Sequence, residues 1–467
     1  MKKVHVISLG CPKNMVDSEV MLGILQEDGW IVEDDPSQSD VLLINTCGFI
    51  QPAVEEAINE ILDLIKIKEQ FPEKLLVVTG CLVQRYQEKL QKEFPEVDLF
   101  IGTEGVPDIA SLIHGCMAGN LTKTLQIPER FLMNARMPRQ LATPFFRSWL
   151  KITEGCSNHC TYCMIPSIRG GLRSRAVRDL VEETIRLEQL GVQELTLIAQ
   201  DLTAFGNETG GSNKLIDLLQ AILTQSSIPW IRLMYLYPTG IPDMLFDLMA
   251  AHPRIVPYLD IPFQHVSDHI LKKMNRRYTG DDLYRLIDKI RSSLPDIALR
   301  TTFLVGFPGE TESDIVLLEQ FLKDVKIEHV GVFPYANEEG CPAEFFPDQC
   351  SEEEKSGRLE HILSLQTGIS TEILKKYIGK LEPVLVEGLS RETDLLLEGR
   401  TRFQAPDIDG CVYINEGEAH PGDIVLVRID DTQVYDLIGG IERGRNEDSG
   451  PEGKHFSDVG YKRDSNV

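Results

Sequence analysis

The stretch EGCSNHCTYCMIPSIRG, residues 154–170, decides the fold class that this chain predicts. Cys156, Cys160 and Cys163 lie in the spacing CxxxCxxC, between Gly155 and Pro166. A structural zinc site is closed by four protein ligands, usually from paired CxxC turns, and this loop offers three cysteines at another spacing. Three thiolates can hold three irons of a 4Fe-4S cluster and leave the fourth iron open. The loop therefore favours such a cluster, with zinc binding or incidental thiols as the alternatives.

The cysteine loop follows the first of six short apolar segments that alternate with helical segments. These are RSWLKI, LTLIAQD, IRLMYLY, YLDIPFQ, ALRTTFLVG and VGVFPY. Strands alternating with helices predict a parallel sheet, and six such units predict an open partial barrel because a closed one has eight. Barrel enzymes hold their chemistry at the carboxyl ends of the strands, which is where the cysteine loop falls.

A second set of three cysteines lies upstream, and each one follows a predicted strand. From residue 3 to about 118, apolar strands alternate with amphipathic helices, which predicts a parallel α/β domain. Cys11 follows VISLG, Cys47 follows LLINT and Cys81 follows LVVTG. Because parallel sheets bind ligands at the carboxyl ends of their strands, we expect these cysteines to converge on one edge. Buried structural thiols are the alternative.

The remaining segments predict a linker, a small barrel and a polar tail. Residues 119–141 lack periodicity and are expected to link the first domain, 1–118, to the partial barrel, 142–373. Residues 376–442 form short alternating strands with Gly and Asp turns, which predicts a small antiparallel β-barrel. The tail, 443–467, is polar and aperiodic, so we expect it to be disordered.

Charge and cysteine content restrict the partner and the compartment. The 467 residues carry a formal net charge of -25, which argues against a protein that coats nucleic acid and favours a basic partner. Residues 380–441 hold 13 acidic and five basic side chains. The N-terminus shows no signal-peptide pattern and no apolar run reaches membrane-spanning length, so we expect a cytoplasmic protein without a membrane partner. In that reducing compartment, ten cysteines favour metal ligands or catalytic thiols over disulfides.

The CxxxCxxC motif, with Tyr162 directly before its third cysteine, resembles the radical S-adenosylmethionine (SAM) superfamily. The segments LGCPKN, NTCGF and TGCLVQRY, together with a final barrel that resembles a TRAM domain, narrow the resemblance to the radical SAM methylthiotransferases. It covers nearly the whole chain except the tail. The resemblance implies SAM and two 4Fe-4S clusters as cofactors, one cluster held by Cys156, Cys160 and Cys163, the other by Cys11, Cys47 and Cys81.

In that family, the open iron of the barrel cluster binds the methionine moiety of SAM, and reductive cleavage gives a 5'-deoxyadenosyl radical that abstracts hydrogen from unactivated carbon. The free iron of the second cluster holds a sulfur species, a second SAM supplies the methyl group, and the CH3-S unit is transferred. The resemblance also implies that SAM is contacted by Tyr162, Glu194, Gln200, Gly306 and Gly309. No catalytic side chain beyond the cluster ligands is predicted, and no role is assigned to His159, His265, Cys116, Cys341, Cys350 and Cys411.

Three further segments resemble the RimO-type branch, whose members modify an aspartate of small-subunit ribosomal protein S-twelve. They are LGCPKNMVDSE at 9–19, LIAQDLTAFG at 197–206 and APDIDGCVYIN at 405–415. The branch implies that protein as the substrate, a flavodoxin- or ferredoxin-type electron donor, and no tRNA substrate. The alternatives are a methylthiotransferase acting on tRNA adenosine and, from another class, a non-catalytic iron–sulfur electron carrier.

Overall fold

The computed structural model describes residues 2–121, 124–210 and 214–442. The tail predicted to be disordered, 443–467, lies outside the described residues. Within the described ranges, no helix is long and apolar enough to cross a membrane.

The first domain is a parallel sheet of six strands with helices on both faces. The strand order is β2-β1-β3-β4-β5-β6, so the three strands that precede the cysteines are direct neighbours. Two short edge strands, β2 and β6, were not expected from the sequence. The elements are β1 (Lys3–Ser8), α1 (Pro12–Glu27), β2 (Ile31–Val32), β3 (Val41–Thr46), α2 (Gln51–Gln70), β4 (Leu75–Gly80), α3 (Cys81–Glu93), β5 (Leu99–Ile101), α4 (Ile109–Met117) and β6 (Leu125–Gln126).

The middle domain is an open parallel sheet of six strands in the order β14-β13-β12-β11-β10-β7, with its helices packed on the outer face. The predicted six-unit partial barrel is therefore confirmed. Its elements are β7 (Arg147–Lys151), β8 (Thr153–Glu154), α5 (Ile165–Arg169), β9 (Arg173–Ser174), α6 (Val177–Gln189), β10 (Glu194–Ile198), α7 (Lys214–Gln225), β11 (Trp230–Leu233), α8 (Asp243–Ala251), β12 (Ile255–Asp260), α9 (Asp268–Lys273), α10 (Gly280–Ser293), β13 (Ala298–Val305), α11 (Glu312–Val325), β14 (His329–Pro334) and α12 (Glu352–Leu374).

The last domain is a closed five-stranded barrel in the order β15-β16-β17-β19-β18. Its strands are β15 (Leu381–Leu389), β16 (Leu397–Thr401), β17 (Val412–Glu416), β18 (Ile424–Thr432) and β19 (Leu437–Ile441). The expected antiparallel pairing holds everywhere except between β17 and β19, which run parallel. A ring with an odd number of strands cannot alternate direction at every pair, so one parallel pair is required.

One apolar core joins all three domains. It packs Val16 of α1, Trp149 and Trp230 of the partial barrel, and Val384 of the closed barrel into a single cluster. The inner face of the open sheet is therefore covered by the first and last domains. The segment 119–141 contributes to this packing, since Arg139 pairs with Glu19 of α1.

A group of four buried charged side chains fastens the first domain to the second; we call it the charge square. Asp17 of α1 pairs with Lys151 and, at 2.7 Å, with Arg169. Glu154 pairs with the same two cations, at 2.9 Å from Lys151 and 3.1 Å from Arg169. Each charge faces two of opposite sign, which is the condition for holding charges away from water.

Candidate functional site

The three N-terminal cysteines lie at the same edge of the first sheet. Cys11 caps the start of α1 directly after β1, Cys47 follows β3, and Cys81 opens α3 after β4. The strands β1, β3 and β4 are adjacent and parallel, so their carboxyl ends meet. The structure thus brings together the three cysteines that the sequence predicted to converge.

Two glycines let the cysteine loops approach each other closely. A Cβ atom on Gly10, which has a φ of +89°, would lie 2.7 Å from Cβ of Cys47. A Cβ on Gly48 would lie 2.8 Å from Cα of Leu82, next to Cys81. Real Cβ atoms do not pack at such distances, so only glycine fits beside these cysteines.

The three cysteines of the second set face one cavity of about 250 Å³, which we call the shared cavity. Its wall carries Cys156, Cys160 and Cys163 from the loop after β8, and side chains that follow β10, β11 and β12. These are the carboxyl ends of the strands, as expected for a barrel enzyme. A second cavity of about 340 Å³ adjoins it through Cys156, Asn158, Asp201 and Tyr237.

The first domain closes the other side of the shared cavity. Lys13 and Phe49 line it, and each lies two residues from a cysteine of the N-terminal set, Cys11 and Cys47 respectively. The cavity therefore lies between the two sets of cysteines. Neither domain supplies it alone.

Burial makes most of these thiols weak acids. It raises the pKa of Cys163 to about 12 and that of Cys156 to about 11. Burial likewise raises the pKa of Cys81 to about 12 and raises that of Cys47. Metal ligation requires the thiolate, so a cluster binding here would displace the protons of thiols that are otherwise neutral.

Each set of cysteines has one buried arginine directed at a sulfur. Arg169 donates through Nη2 to Sγ of Cys81 at 3.3 Å, and Arg276 donates through Nη1 to Sγ of Cys160 at 3.7 Å. Arg276 is held by stacking on Tyr237, with 4.2 Å between the guanidinium carbon and the ring centroid. Hydrogen bonds to sulfur stabilise negative charge on a cluster and raise its reduction potential.

The donor sets suit clusters better than single ions. Within the described ranges, no three His, Cys, Asp or Glu side chains converge as the ligands of one metal ion would. In a 4Fe-4S cluster each thiolate binds a different iron, so the ligands stand farther apart. Each group of three cysteines, with one arginine that donates a hydrogen bond to a sulfur, matches the ligand set of a 4Fe-4S cluster.

Tyr162 and Gln200, two of the predicted SAM contacts, line the shared cavity. Glu194 does not, and its position corrects that expectation. It is the first residue of β10, at the amino end of the strand, and is fully buried. Its carboxylate binds Arg232 at 2.6 Å and Arg400 of the closed barrel at 2.5 Å. Burial alone would raise the pKa of Glu194, but the two guanidinium groups lower it to about 2.

Gly306 and Gly309 are also absent from the walls of both cavities. A Cβ on Gly306 would lie 2.3 Å from Cγ of Lys355, and one on Gly309 would lie 2.0 Å from Nζ of Lys273. Both positions favour glycine because their φ angles, +74° at Gly306 and +79° at Gly309, strain any other residue, and at Gly306 the stem of Lys355 also packs against the backbone. Their contact with SAM stays a prediction.

Several residues of the site had no role assigned from the sequence. Lys13 and Tyr235 line the shared cavity, and Tyr235 has a φ of +63°, a left-handed conformation that few non-glycine residues adopt. Cys341 is buried against Cys81 with Met164 and Ile168. The signal for Lys13 is present in LGCPKN, where a lysine follows a cluster cysteine at the start of a helix.

Comparison with known protein families divides the chain into three matches. The uncharacterized protein family UPF0004 matches residues 3–102, the radical SAM superfamily matches residues 150–322, and the TRAM domain matches residues 378–441. The middle and last matches confirm the expected radical SAM and TRAM domains.

Relatives and a solved structure extend this result. The ribosomal protein uS12 methylthiotransferase RimO of Desulfotalea psychrophila is 59% identical over 94% of this chain and 99% of its own length. That of Citrifermentans bemidjiense is 46% identical over 94% and 98%. A solved structure shares the fold: the radical SAM methyltransferase TsrM from Kitasatospora setae, with cobalamin and a 4Fe-4S cluster bound. The match has a TM-score of 0.55 at 15% sequence identity and covers 82% of this chain and 81% of the TsrM chain. The chain belongs to the family of ribosomal protein uS12 methylthiotransferases RimO.

Proposed function

We propose that this protein is a radical SAM methylthiotransferase that adds a methylthio group to the β-carbon of an aspartate in ribosomal protein uS12. The observation that carries the proposal is a single cavity between two domains: Cys156, Cys160 and Cys163 line it from one domain, and Lys13 and Phe49, each two residues from an N-terminal cysteine, line it from the other. An enzyme that combines hydrogen abstraction with sulfur delivery needs both centres next to one substrate position.

The ligands in this proposal are the six cysteines. Residues 142–373 hold one 4Fe-4S cluster and SAM, residues 1–118 hold the other cluster, and residues 376–442 contact the substrate protein. Cys156, Cys160 and Cys163 bind the first cluster, and Cys11, Cys47 and Cys81 bind the second. Three thiolates leave one iron of each cluster without a protein ligand.

The cofactors, when bound, supply hydrogen abstraction from an unactivated carbon and a sulfur atom for transfer. The chain positions and shields them. Tyr235, Tyr237 and Phe49 line the shared cavity and exclude water from it. Asn158 donates from its backbone nitrogen to Sγ of Cys156 at 3.4 Å, and Arg276 donates to Cys160, so the protein orients two of the three thiolates.

The charge of the closed barrel supports a basic protein as substrate. Eight acidic side chains between residues 380 and 441 are exposed, against three exposed basic ones, Lys380, Arg391 and Arg428. One of its other cations, Arg400, is buried in the pair with Glu194. Such a surface attracts a cationic ribosomal protein and repels tRNA phosphate. This balance disfavours the tRNA-modifying alternative.

The proposed function implies an electron donor and a cellular location. The chemistry consumes electrons, so we propose a flavodoxin- or ferredoxin-type donor. A ribosomal substrate places the enzyme in the cytoplasm.

The test is mass spectrometry of uS12 and tRNA from cells that lack this gene. We expect the methylthio mass on the uS12 aspartate to disappear and methylthio-adenosine in tRNA to persist. Complementation with the wild-type gene should restore the uS12 modification, and complementation with Cys47→Ala should not. Persistence of the mass in the deletion strain refutes the function. Formation of 5'-deoxyadenosine from SAM by the purified, cluster-loaded protein excludes the electron-carrier alternative.

A further inference from the structure

Lys13 is a buried lysine that points into the shared cavity. It is the second residue of α1, only 7% of its surface is exposed, and it lines the cavity beside Cys156, Cys160 and Cys163. Its Nζ lies 3.5 Å from the centroid of the Tyr235 ring, a cation–π contact. The ammonium group is therefore held in place at the junction of the two domains.

No carboxylate among the described residues lies within ion-pair distance of this ammonium group. Within the described part of the chain, Nζ of Lys13 makes no ion pair, whereas the equally buried Lys151 pairs with both Asp17 and Glu154. The nearby Asp260 is already engaged, since it accepts hydrogen bonds from the backbone nitrogen of Tyr235 at 3.0 Å and from Arg300 at 2.9 Å. A carboxylate that enters the shared cavity can therefore form a charge-assisted pair with this ammonium group.

We propose that the ammonium group of Lys13 binds the side-chain carboxylate of the aspartate that is modified. This inference rests on the proposed function and names the residue that selects the target side chain. The carboxyl carbon of aspartate is bonded directly to its β-carbon. A carboxylate held by Lys13 therefore keeps the β-carbon within the shared cavity, facing the wall that carries the three cysteines.

Tyr235 positions Lys13 for this task. Its backbone, at a φ of +63°, is fixed by the hydrogen bond to Asp260, which directs the ring beneath the ammonium group. A cation–π contact attracts the ammonium without occupying its hydrogen-bond donors as a carboxylate would. The donors of Nζ thus stay available for the incoming substrate.

The experiment compares cluster-loaded wild-type protein with Lys13→Met and Lys13→Arg. Each protein is titrated with labelled uS12 and with uS12 in which the target aspartate is changed to asparagine. Wild type should bind the aspartate form about tenfold more tightly, because a charge-assisted pair is lost with asparagine. Lys13→Met should bind both forms equally, and Lys13→Arg should retain part of the preference. Iron content should not change.

Lys66→Met is the control for net charge. Lys66 lies on α2 of the same domain and pairs with Asp63 at the surface, so its loss should leave the preference for aspartate intact. A tenfold preference that survives in Lys13→Met overturns the proposal, as does a wild-type protein without preference. A Lys13→Met protein that loses iron also overturns it, because Lys13 would then hold the cluster in place. If wild type leaves uS12 unmodified in a turnover assay, the proposed function itself fails.

Discussion

Arg169 of the middle domain donates a hydrogen bond to Sγ of Cys81 in the first domain, with 3.3 Å between Nη2 and the sulfur. The same guanidinium group pairs with Asp17 and Glu154 and donates to Oδ1 of Asn14 at 3.2 Å. One buried side chain therefore both joins the domains and polarises a thiol of the N-terminal set. Arg276 likewise polarises the thiol of Cys160 in the second set.

We predict that Arg169→Lys lowers the reduction potential of the N-terminal cluster and leaves the other unchanged. A lysine at this position keeps the positive charge that pairs with Asp17 and Glu154, but its single ammonium group cannot also donate to Sγ of Cys81. The reduced cluster then loses a hydrogen bond that stabilises its negative charge. The potential is measured by titration monitored by electron paramagnetic resonance, in a Cys160→Ala background that retains only this cluster. Arg276→Lys should shift only the barrel cluster, so both variants are also measured in a Cys47→Ala background, which retains only that cluster. A shift of the same cluster by both variants would contradict the pairing.

We predict that the two sets of cysteines fail differently. Cys160→Ala should abolish SAM cleavage and spare the N-terminal cluster, because its ligands are on another domain. Cys47→Ala should retain SAM cleavage and lose methylthio transfer to uS12. The measurements are 5'-deoxyadenosine by chromatography, product mass, and iron per chain. Identical defects in both variants would show that the centres do not divide the chemistry.

We predict that Glu194→Gln destabilises the protein without changing its affinity for SAM. The variant leaves the buried Arg232 without a carboxylate and Arg400 with Glu387 alone, which costs about 3–5 kcal/mol in free energy of unfolding. Urea unfolding of the cluster-free protein measures this loss. The matched control is Glu182→Gln, whose exposed pair with Arg186 contributes little. An increased KM for SAM at unchanged stability would instead place Glu194 at the cofactor.

The pair around Glu194 also predicts a dependence on pH. Its pKa is lowered from 4.5 to about 2, so the folded state favours the charged carboxylate. The stabilisation is complete above pH 4.5 and is lost as the pH falls toward 2. The difference in free energy of unfolding between wild type and Glu194→Gln should therefore shrink across this range. A constant difference would mean that the carboxylate does not titrate with folding.

The positions of the cysteines could be predicted because they follow from local chain geometry. Cys11, Cys47 and Cys81 each follow an apolar strand, and parallel strands end at one edge, so their convergence requires no knowledge of distant contacts. The six strands of the partial barrel were recognisable for the same reason. The two-residue strands β2 and β6 were not, because such short segments carry no periodicity.

Contacts between domains could not be predicted from the sequence. Glu194 resembled a cofactor contact, but its partner Arg400 lies 206 residues away, and only the folded chain brings them together. Within the middle domain, the contact of Gly306 with Lys355 of α12 was equally invisible, because the two residues are far apart in the sequence. Lys13 acquires its position only when α1 docks against the partial barrel.

The charge square limits how the two halves of the protein can diverge. Asp17 comes from the first domain, and Lys151, Glu154 and Arg169 come from the second. A chimaera that joins the first domain of one relative to the barrel of another must therefore match these four positions, or a charge is stranded in the interior. Substitutions at these four positions must therefore be compatible across the two domains, although the folds of the domains are distinct.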